Sequence, residues 1–147
     1  MTVPEAMLNL RRRYTASPDF VFRAFTEPRL LEQWLCPDPS VELRVESLDL
    51  RVGGEYRFAF HFPEGIKPVI GRYLRVDPPH KLVFVWTWEP PDPFAGLETI
   101  VSVTILGTDT GCELELTHER FPNQEKQAQH ESGWTGALAR LEKFLAR

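Results

Sequence analysis

The chain has 147 residues, of which 42% are hydrophobic and 26% charged, and its net charge at pH 7 is −4. This size and balance predict a single globular domain over residues 1–147 with a sizeable core. The acidic balance argues against nucleic acid or an anionic membrane as a partner, and no apolar run is long enough to span a bilayer.

The first elements are predicted to be a strand and two short helices. Residues 5–14 have the pattern of a strand. Ser17 is a favourable N-cap with Pro18 as the first helical residue, and Pro28 opens a second short helix. The apolar positions of the two helices form a predicted buried set: Val21, Ala24, Phe25, Leu30, Leu31 and Trp34.

From residue 41 the apolar residues alternate, which predicts strands. The alternation slips by one position near Ser47, as a β-bulge would cause. Gly53 and Gly54 then predict a two-residue hairpin turn. The apolar residues before and after the slip are Val41, Leu43 and Val45, then Leu48 and Leu50.

A strand over residues 68–77 is predicted with Ile70, Leu74 and Val76 in one phase, and Arg72 falls in the same phase. An arginine that faces an apolar core needs an anionic partner, so Arg72 is a candidate for holding an acidic group. A bulge nearby would turn it outward instead, and both orientations stay open.

The strands on either side place most of the aromatic side chains on one face of the sheet. That face carries Tyr56, Phe58, Phe60, Phe62, Phe84, Trp86 and Trp88. Two further strands continue it with Val101, Val103, Ile105, Cys112, Leu114, Leu116 and His118. Short connections between all these strands predict an antiparallel meander and an α+β fold.

A long helix is predicted from about Asn123 to the C-terminus. Its apolar stripe, which faces the sheet, consists of Trp134, Leu138, Leu141 and Leu145. Gly133 and Gly136 flank Trp134, although glycine costs a helix about 1 kcal/mol relative to alanine. We expect a close backbone approach or a local bend there, with the indole filling the space.

The aromatic face permits two arrangements, a filled core or the wall of a cavity. On composition alone the filled core is favoured, because aromatic stripes are more often core than pocket.

Five short motifs, taken together and in this order, resemble one family. They are "YTASPDFVFRAFTEPRLLEQWL", "DLRVGGEYRF", "GRYLRVDPPHKLVFVWTW", "LELTHERFP" and "GWTGALARLEKFL". The chain resembles the START-like, helix-grip superfamily (SRPBCC), and within it the Aha-type family of heat-shock chaperone ATPase activators.

The resemblance implies a curved antiparallel sheet of about seven strands wrapped around a long C-terminal helix, with two short helices between strands 1 and 2. It also implies a cavity between sheet and helix. The predicted lining consists of Tyr56, Phe58, Phe60, Arg72, Phe84, Trp86, Trp88, His118, Trp134 and Leu138.

Few residues predict chemistry. His118 shares the inward phase of its strand and is a candidate for carrying a proton or bonding a ligand. A partly buried histidine satisfied by a neighbouring backbone group is favoured. His130 is expected to be solvated in the first turns of the helix rather than at a pocket mouth. Cys36 falls in a predicted loop.

No spacing of His, Cys or carboxylates predicts a metal site, and no nucleotide or serine-hydrolase motif is present, so no cofactor is expected.

The superfamily includes lipid carriers, hormone receptors, cyclases, dehydratases and chaperone activators, so the resemblance implies no single function. We rank binding of a small hydrophobic molecule first. A chaperone-activator-like interaction comes second, because the sequence lacks the separate N-terminal domain of the eukaryotic activators. Catalysis by a cyclase, dehydratase or hydrolase comes third. We expect a cytoplasmic monomer or homodimer without a signal peptide.

Overall fold

The computed structural model describes residues 6–146, which form seven strands and three helices. In chain order these are β1 (Ala6–Tyr14), α1 (Pro18–Thr26), α2 (Pro28–Trp34), β2 (Glu42–Leu48), β3 (Glu55–Phe62), β4 (Gly65–Asp77), β5 (Lys81–Trp88), β6 (Thr99–Thr108), β7 (Gly111–Phe121) and α3 (Gln124–Leu145). The strands lie in the order β1-β7-β6-β5-β4-β3-β2. All neighbouring strands are antiparallel, which confirms the predicted α+β helix-grip fold.

The two short helices form where their caps predict them. The side chain of Ser17 accepts a hydrogen bond from the backbone N–H of Phe20, and Pro18 begins α1. The buried indole of Trp34 donates to the carbonyl of Ala24 over 2.9 Å and thereby joins α2 to α1. Together the helices close one end of the sheet.

The bulge predicted in β2 is confirmed, because the register between β2 and β3 shifts between Val45 and Ser47. The two-residue hairpin predicted after it is wrong. Gly54 instead closes a turn by donating to the carbonyl of Arg51 over 2.8 Å, with Gly53 at a φ of 83°. Both glycines also bond to Tyr73 of β4, so this turn extends the sheet beyond the β2–β3 pair.

The phase predicted for β4 is wrong. Val69 and Tyr73 face the core, whereas the side chains of Ile70 and Leu74 are 38% and 40% exposed. The register with β5 shifts between Tyr73 and Arg75, which marks a second bulge. Residues before that bulge therefore point to the opposite face from the one that was predicted for them.

The predicted stripe of α3 is confirmed, because Trp134, Leu138 and Leu141 are buried against the sheet. The phenol of Tyr14 donates to the carbonyl of Leu138 over 3.2 Å and ties β1 to the helix. Within residues 6–146 none of the helices combines the length and apolarity that a membrane crossing requires.

The predicted close approach beside Trp134 occurs at one of the two glycines. A Cβ on Gly136 would lie 2.1 Å from the carbonyl oxygen of Pro37, far inside van der Waals contact. A Cβ on Gly133 would have the side chain of Pro37 as its nearest neighbour, at 3.9 Å. The absent side chain at Gly136 therefore lets α3 pack directly on the backbone that follows α2.

Candidate functional site

An open cleft of about 560 Å³ lies between the N-terminal half of α3 and the sheet. The segment after α2 forms a third side. The apolar lining consists of Leu35, Cys36, Pro37, Phe60, Phe62, Trp86, Trp88, Gly133, Trp134 and Ala137. The polar lining consists of Asp38, Lys67, Asp92, Lys126, Gln129, His130 and Ser132. The two lysines and two aspartates cancel in formal charge.

Aromatic rings from β3, β5 and α3 form a continuous wall. The ring centroid of Trp86 lies 6.0 Å from those of Phe60 and Trp88, and 5.4 Å from that of Trp134. The rings meet at inclined angles rather than face to face. Alternate residues of one strand share a face, which explains why both Trp86 and Trp88 reach the cleft.

His118, on β7, lies fully buried behind this wall, and both of its ring nitrogens have partners. The indole N–H of Trp134 donates to Nδ1 over 3.0 Å. Nε2 lies 2.7 Å from the hydroxyl oxygen of Thr99, and that hydroxyl donates its proton to the carbonyl of Trp86. We therefore assign the His118 proton to Nε2, which donates to Thr99. His118 is satisfied within the protein, as predicted, but its partners are the side chains of Trp134 and Thr99 rather than a backbone group.

His130, in the second turn of α3, mirrors this arrangement at the cleft surface. The indole N–H of Trp88 donates to Nε2 of His130 over 3.0 Å, and Nδ1 bonds the carbonyl of Lys126 over 2.9 Å. The proton therefore belongs on Nδ1. The solvated position predicted for His130 is wrong, because the side chain is partly buried and its ring centroid lies 5.2 Å from that of His118.

Both histidines are held in the neutral form. Burial lowers the pKa of His118 well below its usual range, and the neighbouring His130 lowers it further. Burial also lowers the pKa of His130, against the opposing effect of its bond to the carbonyl of Lys126. Protonation of either ring would occupy the nitrogen lone pair that accepts an indole N–H. The neutral histidine pair, His118 and His130, therefore orients two of the three tryptophans on the wall.

Cys36 lies in a loop, as predicted, but its side chain is only 5% exposed. Burial raises the pKa of its thiol, and the nearby Arg140 opposes that shift without cancelling it. The thiol on the cleft wall is therefore protonated at neutral pH. Within residues 6–146 no group of three His, Cys, Asp or Glu side chains is placed to hold a metal ion.

One protein family matches this chain. The model of the family described as Activator of Hsp90 ATPase homolog 1-like protein matches residues 15–146. The chain belongs to this family. No match was found among curated proteins.

Solved structures of similar proteins agree with the fold of this chain. A protein of Chromobacterium violaceum is 27% identical with a TM-score of 0.87, over 98% of this chain and 99% of that one. A protein of Silicibacter pomeroyi with the same family name is 28% identical with a TM-score of 0.84, over 96% and 98% of the chains. A protein of Nitrosomonas europaea is 25% identical with a TM-score of 0.80, over 95% and 94%.

Some of the predicted lining residues reach the cleft. Four of the ten lie on its wall: Phe60, Trp86, Trp88 and Trp134. Five are buried deeper in the core and leave the cleft to others: Tyr56, Phe58, Phe84, His118 and Leu138. Sequence periodicity identified the inward face of most elements. It could not show which inward residues lie beside the cleft, because that depends on how α3 packs against the sheet.

Arg72 is the one predicted lining residue that faces away from the core. It lies on the outer face of β4, where its guanidinium bonds the carboxylate of Glu98 over 2.8 Å. Of the two orientations that the sequence left open, Arg72 has the outward one, so its place in the predicted lining was wrong. The polar groups at the cleft include Lys126, which was not predicted there, and His130, for which the pocket mouth was the less favoured alternative. Their spacing of four residues on α3 was the available signal, since it places both on one helix face.

Proposed function

We propose that this protein binds a small, mainly apolar molecule in the cleft between the sheet and α3. The observation that carries the proposal is a hollow of about 560 Å³ with a wall of rigid aromatic rings. That volume falls within the range of about 300–1,000 Å³ typical of small-molecule sites. The neutral histidine pair supports the proposal, because it keeps Trp88 and Trp134 from collapsing into the hollow.

The energetics favour a flat, ring-shaped ligand. Removing about 200 Å² of apolar ligand surface and a similar area of the aromatic wall from water contributes about 10 kcal/mol, of which the entropic cost of association cancels about 4 kcal/mol or more. Rings that are already fixed in the protein lose little further freedom when a ligand stacks on them. Micromolar affinity for a bicyclic aromatic molecule is the expected result.

Titration with the neutral fluorescent dye phenylnaphthylamine tests this function. We expect saturable binding by the wild-type protein and at least about a tenfold weaker affinity for Gly133→Leu, whose side chain would occupy the cleft. The matched control is Ala139→Leu, which adds the same apolar bulk to α3 at an exposed position. No saturable binding to the wild-type protein, or equal binding by all three proteins, would contradict the proposal.

Family membership favours a second candidate function, interaction with an Hsp90-type chaperone. Such an interaction would use an outer surface, and the cleft would not be needed. The ATPase rate of a purified chaperone with and without this protein tests it, since stimulation supports the interaction and an unchanged rate at micromolar protein excludes it.

Catalysis, the third candidate, finds less support in the cleft. A general acid or base needs a proton-transferring nitrogen, oxygen or sulfur that is free to meet a substrate. Both ring nitrogens of His118 and of His130 have protein partners, and the Cys36 thiol is protonated. We therefore favour binding over reaction.

A further inference from the structure

Three polar side chains on one face of α3 line the cleft without bonding to the rest of the protein. They are Lys126, Gln129 and Ser132, spaced three residues apart. Within residues 6–146 none of the three side chains takes part in a hydrogen bond or an ion pair. All three can donate hydrogen bonds, and the ammonium of Lys126 adds a positive charge.

Lys126 lies where an anion would be favoured. Its ammonium nitrogen is 4.0 Å from the centroid of the Phe94 ring, which places the charge at the rim of the cleft. Lys126 is the third residue of α3, and although its own backbone N–H donates to the side chain of Asn123, the positive end of the helix dipole adds to the potential there. Its side chain is partly buried, and solvent therefore screens the charge less than at a fully exposed position.

The second lysine of the cleft is already engaged. The ammonium of Lys67 lies 3.3 Å from the carboxylate of Glu64 and 4.7 Å from the centroid of the Phe62 ring. An anionic ligand would have to compete with Glu64 for this charge. Lys67 therefore contributes less to the selection of a ligand than Lys126 does.

The two aspartates of the cleft are also engaged by local donors. The carboxylate of Asp38 accepts the backbone N–H and the hydroxyl of Ser40. The carboxylate of Asp92 accepts the backbone N–H of Phe94 over 2.8 Å. These bonds use one oxygen of each carboxylate and leave its charge in place, so the donors along α3, rather than the net charge of the lining, would hold an anionic group.

We propose that the ligand is an aromatic acid, a flat apolar ring system with one anionic group that pairs with Lys126. The rings lie against the aromatic wall, and the acid lies along α3 within reach of Gln129 and Ser132. This inference rests on the proposed function, because it assigns a ligand class to the same cleft. A partly exposed ion pair of this kind strengthens binding by up to about fivefold.

Two dyes that share an aromatic skeleton and differ in charge test the inference. Anilinonaphthalene sulfonate carries one anionic group, and phenylnaphthylamine carries none. We expect Lys126→Gln to weaken sulfonate binding about two- to fivefold and to leave phenylnaphthylamine binding unchanged. The matched control is Lys143→Gln, which removes the same charge at an exposed position of α3 outside the cleft and should change neither affinity.

Salt gives a second readout on the unaltered protein. Raising sodium chloride from about 20 to about 300 mM should weaken binding of the sulfonate and leave binding of the neutral dye almost constant. If the neutral dye binds but sulfonate affinity depends on neither Lys126 nor salt, the aromatic-acid inference is overturned and the binding function stands. If neither dye binds, the proposed function itself has failed.

Discussion

At the scale of single residues, two histidines set the geometry of the cleft wall. His118 and His130 carry their protons on opposite nitrogens, and each offers its bare nitrogen to a tryptophan. Because a doubly protonated imidazole has no acceptor, the wall depends on both rings staying neutral. The inward direction of His118 was predictable from its phase on β7. The role of His130 was not, because its partner Trp88 is 42 residues away in sequence.

The lowered pKa values of both histidines predict that stability falls on mild acidification. The unfolded chain binds protons on these rings near pH 6.5, whereas the folded protein resists them. Stability is therefore complete above about pH 6.5 and declines by up to about 1.4 kcal/mol per pH unit for each histidine as pH falls below it. Urea unfolding at pH 7.5 and 5.5 should show a loss of about 2 kcal/mol.

The variant His118→Leu separates this effect from other titrations. It removes one of the two rings, so the loss of unfolding free energy between the two pH values should shrink by about half. Its stability at pH 7.5 is a separate quantity, because the change also leaves the Trp134 indole without an acceptor. An unchanged pH dependence would show that other groups cause the acid sensitivity.

At the scale of elements, the entry of α3 into the sheet depends on one of two neighbouring glycines. Gly136 faces the carbonyl of Pro37, whereas a Cβ on Gly133 would make only an ordinary van der Waals contact with the side chain of Pro37. The sequence indicated that a close approach occurs near Trp134. It did not indicate which glycine makes it, because the opposing backbone belongs to the segment after α2, about a hundred residues earlier.

Alanine at each glycine should therefore have opposite effects on stability. We expect Gly133→Ala to raise the free energy of unfolding by about 0.5–1 kcal/mol through helix propensity. Gly136→Ala should lower it by more than about 1 kcal/mol, since its Cβ would force α3 away from Pro37. Thermal and urea unfolding of the two variants measure this difference. Equal effects of the two substitutions would show that the contact with Pro37 does not constrain the helix.

The bulges of β2 and β4 show when the alternation of apolar and polar residues can reveal a bulge. In β2 the slip was visible, because charged residues occupy the other phase on both sides of it. In β4 both phases contain apolar side chains, Val69 and Tyr73 in one and Ile70 and Leu74 in the other. Periodicity cannot choose between two apolar faces, so the orientation of Arg72 was not determined by the sequence.

At the scale of the whole molecule, local patterns predicted the order and type of the elements, whereas only the family resemblance implied a cavity. Turn residues and alternation are local signals, and they led to the seven-stranded sheet and the long helix. A filled core and a walled cleft have the same composition. Their difference depends on how far α3 stands from β3 and β5, which long-range contacts such as that between Gly136 and Pro37 determine.

The tryptophan indole signals test the account most directly, because all four tryptophans of the chain lie among the described residues. Trp86, Trp88 and Trp134 line the cleft, whereas the indole of Trp34 donates to Ala24 away from it. In a nitrogen-15 spectrum recorded during titration with phenylnaphthylamine, we predict that the three cleft signals shift and that the Trp34 signal stays in place. Three unmoved cleft signals at saturating dye would contradict binding between the sheet and α3.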